Sequence, residues 1–195
     1  NAQGIAGACP ECQLIIAKGL GDNGSAPDAT LGQAIIWAAD SGAKVINVSA
    51  GGPDANQTQQ EAVNYAWSKG SIVVAAAGNE ANSSNNYPAS FPNVVSVGAI
   101  DNRNQKSIFS TYGNWVDVTS PGTDIYSTLP GNKYGFLSGT SMATPIASGV
   151  VGLIWASEHG TSHTAVAKRL CDTSDKIAGT GTYFICGRIN AFKAV

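Results

Sequence analysis

Short apolar runs alternate with longer amphipathic stretches along this chain, and the two kinds of segment differ in period. Residues 13–18, 45–49, 72–76, 94–99 and 116–119 are brief and almost continuously apolar, the pattern of strands buried on both faces. Between the first two, residues 30–41 carry apolar positions at helical spacing, with Asp28 and Thr30 as possible caps and Gly42 as a stop. Between the second and third, residues 57–69 form a second helix closed by Gly70. Strands joined by helices in this order predict an α/β fold, a mostly parallel sheet with helices on both faces. Ligand sites in such sheets gather beyond the carboxyl ends of the strands, where Ser49-Ala50-Gly51 and Ala77-Gly78-Asn79 fall. No repeat, low-complexity run or linker interrupts the pattern, so the 195 residues are read as one domain.

The stretch Gly139-Thr140-Ser141-Met142-Ala143-Thr144-Pro145 predicts another helix start. A proline deep in a helix clashes with the carbonyl four residues back, so the helix should begin close to Ser141 with Pro145 in its first turn. A hydroxyl at that place lies beside unpaired N–H groups and partial positive charge, which can hold a developing oxyanion. Ala143, Ala147, Ser148, Gly149 and Gly152 would let the helix lie close to its neighbours. Asn79, taken alone, is equally a turn former after glycine.

Composition narrows the functional classes. A formal charge of −2 and a pI near 5.6 leave no electrostatic footprint for nucleic acid or an anionic membrane, so neither is expected as a partner. No apolar stretch reaches spanning length, and no leader peptide is visible, so a secreted origin would make the chain a processed or excised product. Of the four cysteines, Cys9 and Cys12 are close in sequence, whereas Cys171 and Cys186 are not the second close pair that a zinc site wants. A redox dithiol would open a helix, while Cys12 leads into an apolar run. Two disulfides, Cys9 with Cys12 and Cys171 with Cys186, are preferred over free thiols, and an oxidising, extracellular setting goes with them.

The stretch from Gly139 to Pro145 resembles the serine signature of the subtilisin-like proteases. So do Gly4-Ile5-Ala6-Gly7, Val45-Ile46-Asn47-Val48-Ser49 with Gly51-Gly52, Ala75-Ala76-Ala77-Gly78-Asn79, Tyr87-Pro88-Ala89 and Ser120-Pro121-Gly122, all in the family's order. Ala62-Val63-Asn64-Tyr65-Ala66-Trp67 and Gly179-Thr180-Gly181-Thr182-Tyr183 are similar to its thermitase-like members. The resemblance implies a serine endopeptidase that acts on polypeptides without a cofactor for the chemistry. It makes Ser141 the nucleophile. Asn79, with the Ser141 N–H and the Thr140 hydroxyl, is the implied oxyanion hole. Gly24, Ser25 and Ala26 with Ser49, Ala50 and Gly51 would flank an extended substrate. Ala50, Ala77 and Gly78, with Asn86 near the floor, would wall a first pocket roomy enough for a large apolar side chain. As residues alone, Asp22-Asn23-Gly24 is simply a turn.

The resemblance also implies cations. A calcium loop would correspond to Asn1, Gln3 and Ile5, although its carboxylates come from a part this sequence lacks, so that site is expected to be broken. A calcium or monovalent ion would use Ala89, Phe91, Val94 and Asp117, the last of which could equally be a strand-edge carboxylate. Ile146 stands where many relatives carry His, a difference expected to affect packing only.

The family's triad runs Asp, His, Ser, and neither an Asp nor a His partner precedes Ser141 in the matching order. The two histidines lie in His159-Gly160-Thr161-Ser162-His163, which mimics a family motif in the wrong place and reads as a turn with Ser162 capping the next helix. The sequence is therefore expected to be the C-terminal part of the catalytic domain, N-terminally truncated. It would lack the central strand between residues 13–18 and 45–49. That gap would be closed by the strands themselves, by the missing N-terminal segment or by a second copy. A weak base-free esterase and a non-catalytic peptide-binding module remain as alternatives.

Overall fold

The computed structural model describes residues 4–195 and gives most of the apolar runs the neighbours they require. In chain order the elements are α1 (Asp28–Asp40), β1 (Val45–Val48), α2 (Gln57–Ser68), β2 (Ile72–Ala76), β3 (Val94–Ile100), β4 (Val118–Pro121), β5 (Ile125–Leu129) and β6 (Lys133–Leu137). They continue through α3 (Thr140–Ala156), α4 (His163–Asp172), β7 (Gly187–Arg188) and α5 (Ala191–Ala194). The main sheet has the order β1-β2-β3-β4-β7, and every pair in it is parallel. All five residues of β2 are buried because side chains alternate between two covered faces. Ile72 and Val74 join Val95, Val97 and Val118 against Val150, Val151 and Ile154 of α3. Val73 and Ala75 join Ile46 and Val48 against Ile35 of α1 and Ala62, Val63 and Ala66 of α2. The expected α/β architecture with helices on both faces is the one found.

Helix α3 crosses the sheet at close range, and its small residues explain how. A Cβ at Gly149 would lie 2.7 Å from the Cβ of Ala8, and one at Gly152 would lie 2.9 Å from Cys12 Sγ. The two glycines cut a groove that seats the Cys9–Cys12 disulfide. The second disulfide joins Cys171, in α4, to Cys186, just before β7.

Three expectations are corrected. Residues 13–18 form no strand: none of the described residues pairs with them, and Leu14 and Ile16 are 84% and 79% exposed. An apolar run becomes a strand only where a neighbour takes its backbone groups, and the outer edge of β1 is likewise unpaired among the described residues. Helix α1 begins at Asp28 behind its N-cap residue Pro27, whose φ of −58° sets the entry, so Thr30 lies inside the helix and not before it; the expected cap at Asp28 falls on a side chain outside the described residues. Pro145 lies in the second turn of α3, not the first. The sequence also gave no warning of β5 and β6, an antiparallel hairpin whose turn contains Pro130, Gly131 and Asn132.

The C-terminal end is fastened by one carboxylate. Asp175 accepts hydrogen bonds from Lys193 Nζ at 2.6 Å, Arg188 Nη2 at 2.6 Å and Asn190 Nδ2 at 2.9 Å. Lys193, then Arg188 and Asn190, hold its carboxyl well below the usual carboxylate range. A depressed folded-state pKa adds stability above the unfolded value of about 4, and that stability fades as pH falls. Asp175→Asn is therefore expected to lower the urea midpoint at pH 7. The gap to wild type should shrink progressively below about pH 4 and in high salt, as urea titrations across pH would read.

Candidate functional site

The start of α3 and the end of β2 are tied together by Asn79 and Thr140. A helix leaves its first N–H groups without acceptors, and here Asn79 Oδ1 takes the Thr140 N–H at 2.9 Å. The Thr140 hydroxyl donates to the same Oδ1 at 3.1 Å and accepts the Gly78 N–H at 3.1 Å. Gly78 has φ +104°, a backbone geometry that glycine adopts readily, and it lets the chain turn from β2 towards the helix. With both bonds on Oδ1, the Nδ2 end of Asn79 has no partner among the described residues. That amide lies against Gly139, where a Cβ would be 3.7 Å from Nδ2. In the same turn Met142 and Ala143 donate to the Gly139 carbonyl, while the Ser141 N–H has no acceptor among the described residues. Two unused donors, Asn79 Nδ2 and the Ser141 amide, thus lie at the positive end of a 17-residue helix. Thr140 is wholly buried and its single proton goes to Asn79. In this structure the Thr140 hydroxyl, expected as an oxyanion donor, is engaged with Asn79 and Gly78.

Ser141 is half-buried, and its hydroxyl donates to the Ser49 carbonyl at 3.1 Å. Ser49 answers in the opposite sense, its Oγ donating to the Ser141 carbonyl at 3.0 Å. Pro145 explains the second bond. A proline has no N–H for the carbonyl four residues earlier, so the Ser141 oxygen is free of the helix ladder and is satisfied from β1's end instead. This outside donor is what allows Pro145 to stand in the second turn. Neither histidine reaches Ser141. His163 packs edge-on against Trp67 at 4.3 Å between ring centroids, and His159 lies 3.9 Å from Glu158 beyond the far end of α3, roughly 25 Å of helix away. Ser162 caps α4, its Oγ accepting the Ala165 N–H at 3.1 Å, in keeping with the turn reading of that segment.

Asn86 sits between the two glycine-bearing strand ends. Its Nδ2 donates to the Ala76 carbonyl at 3.0 Å. A Cβ at Gly51 would meet that Nδ2 at 2.5 Å, and one at Gly78 would come within 3.4 Å of Asn86 Cγ. Gly51, Gly78 and Asn86 are therefore brought together, with half-buried Ala50 and fully buried Ala77 on the adjoining chain. Gly24 and Ser25 are spent within a turn: Gly24 N–H donates to Gly21 O, Ser25 N–H to Asn23 Oδ1, and Ser25 O accepts the Gly21 N–H. Ala26, the Gly24 carbonyl and the Ser25 hydroxyl have no hydrogen-bond partner among the described residues.

Of the implied cation positions, Asn1 and Gln3 lie outside the described residues, and Ile5 is exposed. Val94 and Asp117 line one cavity, whereas Ala89 and Phe91 are buried and do not line it. Burial raises the Asp117 pKa, and the Ser96 N–H and hydroxyl, which donate to Oδ2 at 2.8 and 3.0 Å, pull it the other way. Its Oδ1 has no partner among the described residues, so the carboxylate retains an oxygen suited to a hard cation.

A parallel sheet covered on both faces, with a serine and two free amide donors where its central helix begins, defines an α/β protein of subtilisin-like architecture. The Subtilase family model matches residues 1–188, and the chain belongs to that family. It is 49% identical to thermitase of Thermoactinomyces vulgaris over 195 residues, covering all of this chain and 69% of that protein. It is also 49% identical over 195 residues to the thermophilic serine proteinase of Bacillus sp. (strain AK1), covering 48% of that protein. The chain thus spans about half to two thirds of the length of these relatives. Among solved structures, the self-cleaved protease domain of PatA matches with a TM-score of 0.87 at 31% identity, over 96% of this chain and 74% of that one.

Sequence reasoning passed over two residues that the structure attaches to the site. Asn47 Nδ2 donates to Ser49 Oγ at 3.0 Å, and Ser148 Oγ donates to Asn47 Oδ1 at 3.0 Å. The signal that could have found them is the spacing of Ser141 and Pro145, which leaves a helix carbonyl in want of a donor.

Proposed function

We propose that this chain is the nucleophile-bearing part of a subtilisin-like serine endopeptidase. The observation that carries the reading is the pairing of Ser141 with two unused donors, its own N–H and Asn79 Nδ2, at the start of α3. The base is an imidazole supplied from outside these 195 residues and oriented by a carboxylate, since both histidines of the chain lie far from Ser141. That imidazole takes the Ser141 hydroxyl proton as Oγ bonds to the substrate carbonyl carbon. The carbonyl oxygen, now anionic, receives the two donors. The imidazolium returns the proton to the leaving amine as the C–N bond breaks, and water, deprotonated by the same base, releases the acyl group.

The substrate is an extended polypeptide laid along residues 49–51, with an apolar side chain in the space around Gly51, Gly78 and Asn86. The unpaired outer edge of β1 supports a further strand bound along it, contributed by the segment that brings the base. Asp117 Oδ1 is the donor that would hold a structural calcium or monovalent ion, which takes no part in the chemistry. The two disulfides support secretion, and none of the described helices is long and apolar enough to cross a membrane.

The test is complementation. A fluorophosphonate probe is expected to label Ser141 slowly in the chain alone. Peptide hydrolysis is expected to rise by several orders of magnitude when a family N-terminal segment bearing Asp and His is supplied, because base and nucleophile act as one unit. Ser141→Ala should abolish both signals. Hydrolysis by the chain alone at the complemented rate would overturn the assignment of the base.

A further inference from the structure

Four side chains between β1 and α3 form a directed relay whose far end is Ser141. Asn47 and Ser49 are two residues apart on an extended chain, so they face the same side. Ser141 and Ser148, seven apart, lie on one stripe of α3. A serine hydroxyl has one proton and can rotate, so its direction is set by what occupies its lone pairs. Asn47 Nδ2 donates to Ser49 Oγ at 3.0 Å, which leaves the Ser49 proton for the Ser141 carbonyl, also at 3.0 Å. The Asn47 amide is itself turned the right way round because Ser148 Oγ donates to its Oδ1 at 3.0 Å, sharing that proton with the Thr144 carbonyl. Pro145 closes the logic by denying the Ser141 carbonyl any donor from within the helix.

We propose that Asn47 is a positioning residue for Ser141, acting through the Ser49 hydroxyl. The proposal rests on Ser141 being the nucleophile. By fixing the Ser49 proton on the Ser141 carbonyl, Asn47 locks the end of β1 to the first turn of α3. The Ser49 carbonyl then stands 3.1 Å from Ser141 Oγ and holds that hydroxyl in one rotamer. The hydroxyl proton, still bonded to Oγ, thereby points at a backbone oxygen until a base arrives.

Asn47→Asp is the informative change. A carboxylate accepts and cannot donate, so it draws the Ser49 proton to itself and away from the Ser141 carbonyl. With imidazole added as a base, the rate of fluorophosphonate labelling at Ser141 is expected to fall about tenfold in Asn47→Asp, the effect of one lost orienting hydrogen bond. Ser49→Ala should slow labelling to a similar extent, Ser49→Thr, which keeps a hydroxyl, should be labelled faster than Ser49→Ala, and the double variant N47D/S49A should be no slower than either single one. A merely structural role for Asn47 would give additive losses and no rescue by threonine, and either result overturns the proposal, as does wild-type labelling by Asn47→Asp. If the wild-type chain is not labelled at all, the nucleophile reading fails, and crystal structures decide the relay separately. Ser141 Oγ displaced from the Ser49 carbonyl in Asn47→Asp supports it, and Ser141 unmoved refutes it.

Discussion

Asn79→Asp is expected to leave the fold intact and to cost the complemented enzyme about 10²–10³ in kcat, the established loss when a subtilisin is deprived of its oxyanion-donating Asn. The two ends of the Asn79 side chain have separable tasks. Oδ1 accepts from the Thr140 N–H and hydroxyl, so it caps α3, and a carboxylate keeps both bonds. Negative charge also suits a helix start, so the thermal midpoint should stay level or rise slightly. Nδ2 is the free donor, and aspartate replaces it with an acceptor that repels the developing oxyanion. Asn79→Ala, by contrast, removes cap and donor together and should lose stability by about 1 kcal/mol as well. Calorimetry and steady-state kinetics on the two variants separate capping from catalysis. Equal kcat in wild type and Asn79→Asp would remove Asn79 from the oxyanion hole.

Removing the Cys171–Cys186 disulfide should produce the largest loss of stability in the chain. It closes a loop with a sequence separation of 15, for which restriction of the unfolded state gives about 3 kcal/mol. It also fastens α4 to the strand end at β7, and Cys186 is buried in the core that α3 covers. C171A/C186A is expected to show that loss in urea unfolding. C9A/C12A should lose less, because its loop is only three residues apart in sequence. A larger loss from the N-terminal pair would mean that the groove at Gly149 and Gly152 contributes more by packing than loop closure does.

The parts of the fold that were legible in the sequence are those whose signal is local. Residues 72–76 could be read as a strand because both faces are covered, so the run is apolar without alternation. Residues 13–18 carry the same signal and form no strand, because hydrophobicity says a segment can be buried and not what is present to bury it. The hairpin of β5 and β6 escaped notice for the opposite reason: Tyr126, Tyr134 and Phe136 are exposed, so its pattern points to no core. At the site, the nearness of residues 79 and 141 could be read from motifs. The direction of the Thr140 proton could not, since it depends on a 3.1 Å contact across 61 residues of chain. Pro145 shows the same limit. Its displacement into the second turn depends on a hydroxyl from Ser49, 92 residues away from Ser141.

The bare outer side of β1 and the solvent-facing Leu14, Ile15 and Ile16 bear on how the protein behaves in a vial. A sheet edge unpaired among the described residues and greasy side chains in solvent each invite one molecule to stick to another. Such encounters grow with the square of concentration, whereas unfolding is indifferent to it. Dilution, more than cooling, should prolong the working life of a stock.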